Sequence, residues 1–150
     1  MRRNSRVSQR PDPLSPSQRS ALMSKVRNCG NLSTEVAVEA ALASVNIRGW
    51  TKHPPGVTGR PDFFFPRYKL AVFVDGCFWH ACPSCARNLP TRRRRFWESK
   101  IDGNRRRDNR VRKALRQRGF AVMRIWEHSV GDSLAWLRRL TAIIRRRRAR

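Results

Sequence analysis

The stretch Val72-Phe-Val-Asp75-Gly-Cys-Phe-Trp-His80-Ala-Cys-Pro-Ser-Cys85 constrains this chain more than any other. An apolar run of strand character ends in an acid and a glycine. Three of the four cysteines, two adjacent aromatics and one of the three histidines follow at once. A strand is rigid and the loop after it is exposed, so a strand end that delivers such groups reads as the edge of an active site.

The charge says what this edge faces. Lys and Arg number 34 against 10 Asp and Glu, a formal charge of +24. Such an excess calls for a polyanionic partner, because neutralising phosphates supplies most of a non-specific binding energy. An anionic membrane is the competing partner. No apolar run approaches the roughly 20 residues that span a bilayer, and Met1-Arg-Arg-Asn-Ser5 has no apolar segment of a signal peptide behind it. The expected compartment is therefore the cytoplasm, where clustered thiols bind metal more readily than they form disulfides. At 150 residues the chain is one domain with a buried core.

In chain order, residues 1–19 read as a disordered basic arm interrupted by Pro11, Pro13 and Pro16. Ser17–Arg27 has the makings of a short helix carrying Leu22, Met23 and Val26, broken by Asn28-Cys-Gly-Asn31. Ser33 is a candidate N-cap for a helix over Thr34–Val45, with an apolar stripe at Val38, Leu42 and Val45. One turn back along that stripe lies Glu35, which either favours the helix dipole or projects into a site. Ile47–His53 reads as a short edge strand. A strand opening at Asp62 and a strand over Leu70–Val74 flank a hairpin connection at Pro66–Lys69. If they pair, Asp62 lies near Asp75, and the two carboxylates could share a metal or a substrate phosphate.

A long helix over Arg93–Arg118 ends at Gly119 and carries the stripe Trp97, Ile101, Asn104, Asp108, Val111, Leu115. Basic residues fill its other faces, so Asn104 and Asp108 read as directed inward. Phe120–Trp126 is a further strand that delivers Glu127 and His128 to its end. Asp132 or Ser133 caps a last helix built on Leu134, Leu137, Leu140 and Ile144, which runs out in a basic tail over residues 145–150. Residues 20–144 thus form the domain proper. Strands alternate with helices, and the fold class is a mixed α/β layer.

Two constellations carry chemistry. Cys77, Cys82 and Cys85 are three soft ligands, and a structural Zn2+ needs a fourth; His128 is favoured over Cys29, with His80 third. Phosphodiester hydrolysis needs charge neutralisation at the phosphate and an activated water, which Mg2+ on carboxylates provides. Asp62 is the best ligand for it and Asp75 a nearby second. His80 suits a general base, and its competing reading is a zinc ligand. Phe78 and Trp79 are adjacent and cannot both enter one core, so at least one faces out, suited to stacking on or wedging between bases. Packing around the zinc is the alternative.

Gly59-Arg-Pro-Asp62-Phe, Val72-Phe-Val-Asp-Gly-Cys-Phe-Trp-His80, Phe96-Trp97…Lys100-Ile101…Asn104…Asp108 and Ile125-Trp-Glu-His128 resemble, in order and spacing, the very-short-patch-repair endonucleases. The resemblance runs from Ser20 to Trp136. It implies a restriction-endonuclease-like fold and a bacterial enzyme that nicks double-stranded DNA at T:G mismatches left by deamination of 5-methylcytosine. It further implies that Asp62 binds the catalytic Mg2+, that His80 is the base, and that Glu35 and Asp108 complete an acidic, metal-organising environment. Cys77, Cys82, Cys85 and His128 fit the zinc positions. Phe78, Trp79 and Trp97 would wedge beside the mismatch, Lys100 and Asn104 would lie on the DNA side, and the segment around Met23 would approach the opposite groove. The resemblance also implies a monomer acting at the bacterial nucleoid, with mismatch-repair proteins as candidate partners. One departure stands out: the acid-x-Lys half of the restriction-type signature is absent, and Phe73-Val-Asp75 occupies its place.

A zinc-stabilised DNA-binding module without catalysis would share the charge and the cysteines, and an RNA-binding ribosome-associated protein would share the charge. The acids separate these readings. A pure binder gains nothing from Glu35, Asp62 and Asp108 facing phosphates, which they repel.

Overall fold

The computed structural model describes residues 15, 17–18, 32–85 and 89–149, with the side chains of 34 onward. The basic arm, the helix expected over Ser17–Arg27, Met23 and Cys29 lie outside the described residues, apart from residues 15, 17 and 18, and the helix expected to be capped by Ser33 starts at Leu32, so Ser33 lies within it. Helix α1 (Leu32–Ser44) is rich in Ala, Leu and Glu, which lose little side-chain freedom in a helix. A three-stranded sheet follows in the order β1 (Phe63–Phe65), β2 (Leu70–Asp75), β3 (Ala121–Trp126). Strands β1 and β2 are antiparallel, joined by a 3-10 turn over Pro66–Tyr68 and a left-handed Lys69, as the hairpin reading required. Strands β2 and β3 are parallel, with helix α2 (Arg94–Gln117) in the crossover; helix α3 (Ser133–Arg148) closes the fold. This is the mixed α/β class expected.

The pleat divides the sheet into two chemically distinct faces. Pairing sets Phe63 opposite Val72 and Val72 opposite Met123, so Phe63, Phe65, Leu70, Val72, Met123 and Ile125 share one face. That face packs on Val38 and Leu42 of α1 and on Trp136, Leu137 and Leu140 of α3, forming the main core. The opposite face carries Phe64, Ala71, Phe73, Asp75, Arg124 and Trp126. Helix α2 covers this second face, burying Ile101 and Leu115 and turning the whole stripe from Trp97 to Leu115 away from open solvent. Asn104 and Asp108 point inward, as the stripe predicted.

Three boundaries differ from expectation or sharpen it. Ile47–His53 is not a strand: Thr51 alone pairs, through two 2.9 Å bonds with Phe64. The chain there turns at Gly49 and at Asn46 and His53, which all have positive φ, while Ile47 and Trp50 fold onto the core instead of extending. Helix α3 continues through Arg145–Arg148, and Arg147 donates to the carbonyl of Gly119 at 2.7 Å. Helix α2 ends in a Schellman motif, with Phe120 N bonded to Leu115 O and Gly119 N to Arg116 O, and the same turn feeds the chain into β3.

Gly59 is fixed by close approach as well as by backbone. Its φ is +80°, and a Cβ there would stand 2.3 Å from Cγ1 of Val111 on α2. We expect Gly59→Ala to destabilise the protein by roughly 2–4 kcal/mol in urea unfolding, the sum of a left-handed penalty and overpacking. Val111→Ala in the same chain should recover the packing part and leave the backbone part; full recovery would place the whole cost in the contact.

Candidate active site and metal cluster

The parallel pairing runs flush to its end, with Asp75 opposite Trp126, so the segments leaving β2 and β3 start side by side. From β3 comes a 3-10 turn over Glu127–Ser129. A carboxylate oxygen of Glu127 accepts from the amide of Cys77 at 3.1 Å, which ties the start of one segment to the other. Next to it His128 Nδ1 stands 3.1 Å from Cys77 Sγ, 3.6 Å from Cys82 Sγ and 3.4 Å from Cys85 Sγ. Around one tetrahedral ion with metal–sulfur and metal–nitrogen bonds of about 2.3 and 2.0 Å, sulfur and nitrogen lie about 3.5 Å apart. The four donors therefore fit a single metal ion, and His128 completes the set rather than His80. The thiols themselves call for a cation. Burial and the adjacent Cys77 and Cys82 push the Cys85 thiol up to about 11. Burial also works against the Cys82 thiolate, yet hydrogen bonds at Ser84, Cys85 and Cys77 outweigh it and hold that thiol below its ordinary value.

The loop from Gly76 to Cys85 is wound tightly, with His80 N bonded to Gly76 O and Cys82 N to Cys77 O. It presents His80 on the α2 face. His80 Nδ1 is 2.6 Å from Asp108 Oδ2 and 3.5 Å from Asp75 Oδ1. Both acids are held by Arg124, whose Nε bonds Asp75 and whose Nη2 bonds Asp108 at 3.0 Å. Burial alone would raise Asp108, but the His80 hydrogen bond and the charges of His80, Arg124 and Arg107 bring it below its usual value. The Arg124 guanidinium also lies 4.7 Å from the ring of Trp126, two residues along the same face.

A second cluster gathers Glu35, His53 and Asp62. Glu35 is buried in line with Val38 and Leu42 on α1 and faces the side chains of His53 and Lys52. Its Oε2 is 3.0 Å from His53 Nε2 and 3.7 Å from Lys52 Nζ. Asp62 Oδ2 accepts from the amide of Val74 at 2.6 Å, and Asp62 Oδ1 faces His53 Nδ1 at 3.7 Å. Burial pushes the Asp62 carboxyl up to about 6, helped by the charges of Glu35 and Asp75 and opposed by the Val74 amide and His53.

The acids thus sort into two sets, which corrects the expectation that Asp62 and Asp75 form one shared pair. Asp75 stands on the α2 face, where Arg124 and His80 take its two oxygens, while Asp62 turns to His53. Asp75 still acts on Asp62 by its charge. Sequence reasoning overlooked His53 and Arg124. His53 is one of three histidines, and Arg124 is a cation inside an otherwise apolar strand; each was a usable signal.

Beside His80 the rings form a cluster. Phe78 lies 5.2 Å from Trp79 and 5.8 Å from Trp97, and Trp97 lies 5.3 Å from Phe96. Trp79 is 36% exposed and Phe96 55%, so the outer rings are open to a partner. Asn104 donates to the carbonyl of Trp79 at 3.0 Å, and Lys100 is exposed on the same helix.

A mixed sheet that gathers two acid–histidine clusters, next to open aromatic rings in a chain of charge +24, is an arrangement suited to a nuclease. Residues 11–87 match the family "DNA mismatch endonuclease Vsr". Over 133 residues, 89% of this chain and 96% of the relative, it is 38% identical to the type II nicking enzyme V.XorIIP of Xanthomonas oryzae pv. oryzae. It is 38% identical over 120 residues to the type II nicking enzyme V.NmeDIP of Neisseria meningitidis serogroup C, covering 79% of this chain and 80% of that one. The DNA mismatch endonuclease Vsr of Escherichia coli is 34% identical over 97 residues, 62% of each chain. The chain belongs to the Vsr family of DNA mismatch endonucleases. It is a DNA endonuclease and not a binding module without catalysis. Among the described residues no helix is long and apolar enough to cross a membrane.

The raised Asp62 carboxyl has a signed consequence for stability. A carboxyl that holds its proton more tightly folded than unfolded favours the fold below pH 4, and that advantage is lost as pH rises through about 6. Without added divalent cation, Asp62→Asn should therefore be more stable than the wild type at pH 7–8, by up to about 2–3 kcal/mol. The two proteins should converge below pH ~4. Urea unfolding across pH 4–8 measures this, and a pH-independent difference would contradict it.

Proposed function

We propose that the chain nicks duplex DNA at T:G mismatches produced by deamination of 5-methylcytosine, cutting 5′ to the mispaired thymine, with Mg2+ as catalytic cofactor and Zn2+ as structural metal. The observation that carries this reading is the adjacency of the His80–Asp108 dyad to the Phe78, Trp79 and Trp97 rings on one sheet edge. Three thiolates and one imidazole are the donor set of a closed structural Zn2+ site. Asp62, its Oδ2 anchored by the Val74 amide, would hold the Mg2+ through its other oxygen. Bound there, Mg2+ supplies neutralisation of the scissile phosphate and lowers the pKa of a coordinated water.

The protein groups divide the remaining work. Asp108 and Asp75 fix the His80 ring through Nδ1–H, which leaves the Nε2 lone pair to take a proton from the attacking water. Arg124 offsets the charge of those two acids, so a phosphate beside His80 meets less repulsion. Asn104 braces the loop backbone at Trp79 while Phe78, Trp79 and Trp97 stack against the bases flanking the mispair. A mispaired step costs less to unstack than a paired one, and rings that wedge there turn the difference into selectivity. Lys100 and the other cations of α2 meet the backbone phosphates. Met23 would approach from the opposite groove. We place the activity in a monomer, in the bacterial cytoplasm at the nucleoid, with mismatch-repair proteins as partners.

An end-labelled duplex with one T:G pair tests the proposal in Mg2+ at stated salt. The expected product is a single nick 5′ to the thymine, with a matched T:A duplex cut ~10²-fold more slowly, the equivalent of about 3 kcal/mol. Asp62→Ala should abolish the nick, and His80→Ala should slow it by ~10²–10⁴. Equal cutting of T:A and T:G duplexes, or an undiminished rate in Asp62→Ala, would sink it.

A further inference from the structure

The Glu35–His53–Asp62 cluster contains a buried nitrogen that the function as stated does not use. His53 Nδ1 is enclosed and has no hydrogen-bond partner. Its ring is not loose. The other nitrogen, Nε2, is 3.0 Å from Oε2 of buried Glu35, and a carboxylate can only accept, so Nε2 carries the hydrogen. Nδ1 is then a bare lone pair, and it faces Asp62 Oδ1 at 3.7 Å. Asp62 Oδ2 is engaged with the Val74 amide, so Oδ1 is also a free acceptor. Two acceptors directed at one another in a buried space repel unless an electron-pair acceptor stands between them. At bond lengths of about 2.1 Å, two donors on one ion lie about 3.0 Å apart when adjacent and about 4.2 Å when opposite, and the observed gap falls between.

We propose that His53 Nδ1 is a ligand of the divalent cation held by Asp62, with Glu35 acting as the carboxylate that orients His53, and that this nitrogen makes the site bind a first-row transition ion such as Mn2+ more tightly than Mg2+. The arrangement is the usual one for metal-bound histidine, whose second ring nitrogen donates to a carboxylate or carbonyl. Mg2+ is a hard ion that takes oxygen donors, whereas imidazole suits transition ions, so one nitrogen among the ligands shifts the preference. Lys52 lies 3.7 Å from Glu35 and 3.0 Å from Glu39, on the outer side of the cluster, and Asp62 is the carboxylate that faces Nδ1. The inference rests on the reading of Asp62 as the cation ligand.

The test reads the metal rather than the reaction. Full-length, zinc-filled protein is titrated with Mn2+ in the absence of DNA, followed by electron paramagnetic resonance, and the bound ion is examined for nitrogen modulation of its electron spin echo. Wild type should show a histidine nitrogen, His80→Gln should keep it and His53→Gln should lose it. His53→Gln should weaken Mn2+ binding by ~10-fold or more, while Mg2+ affinity, measured by competition, falls far less. Glu35→Gln should weaken Mn2+ binding with the nitrogen signal retained. A nitrogen-free echo from Mn2+ whose binding depends on Asp62 would overturn the role of His53 and leave the cation site standing. No Mn2+ binding, or equal binding by Asp62→Asn, would overturn both. The wild-type echo decides the matter even if a His53 variant folds poorly.

Discussion

The parallel register of β2 and β3 ends flush at Asp75 and Trp126, and everything at the site depends on what this does to the two segments that follow. One carries Cys77, Phe78, Trp79, His80, Cys82 and Cys85; the other carries Glu127 and His128. Starting side by side, they are joined by the hydrogen bond from the Cys77 amide to the Glu127 carboxylate and by the three contacts of His128 with sulfur. The ten residues from Gly76 to Cys85 would otherwise sample many conformations, at a cost of about 1–2 kcal/mol for each residue fixed. Gripped by a metal ion at those four donors, the loop would meet that cost on folding. His80 and the exposed rings are then held in position before any partner arrives.

The second constraint is electrostatic. A chain of charge +24 attracts phosphate over its whole surface, and its few acids must be kept from undoing that attraction at the site. The two clusters solve this differently. Asp75 and Asp108 are neutralised within the protein by Arg124 and His80, and Asp108 is stabilised as a carboxylate. Among the described residues, Glu35 and Asp62 have His53 and the partly exposed Lys52 near them, and Asp62 is destabilised as a carboxylate. A cluster short of positive charge is where an external cation gains most, which supports the proposal that Asp62 rather than Asp75 holds the catalytic metal.

How much of this was legible in the sequence follows from how local each signal was. Cys77, Cys82 and Cys85 are spaced within one loop, and the strand ending at Trp126 pointed His128 toward them, so the fourth ligand could be inferred from topology. The inward turn of Asn104 and Asp108 was legible because a helix repeats every 3.6 residues and the other faces were already basic. Glu35 could be placed on the buried stripe but not given a partner, since His53 reaches it from a segment with no periodicity of its own. That segment looked like a strand; left-handed residues at Asn46 and His53 are invisible to an apolar pattern. The Arg124 clamp was hidden for the opposite reason. An apolar run does not show that the two faces of the strand meet an apolar core on one side and the acids of the site on the other.

Amide hydrogen exchange on the full-length protein, before and after removal of the metal from the Cys77–Cys82–Cys85–His128 cluster, tests this dependence most directly. With the metal in place, the amides of His80 and Cys82 and those of the turn over Glu127–Ser129 should be protected. On its removal they should lose protection together, while Val72, Met123 and the core they share with α1 and α3 keep theirs. Protection of the loop that survives loss of the metal would contradict the account, because the position of His80 would then be set by something other than the grip between the two strand ends.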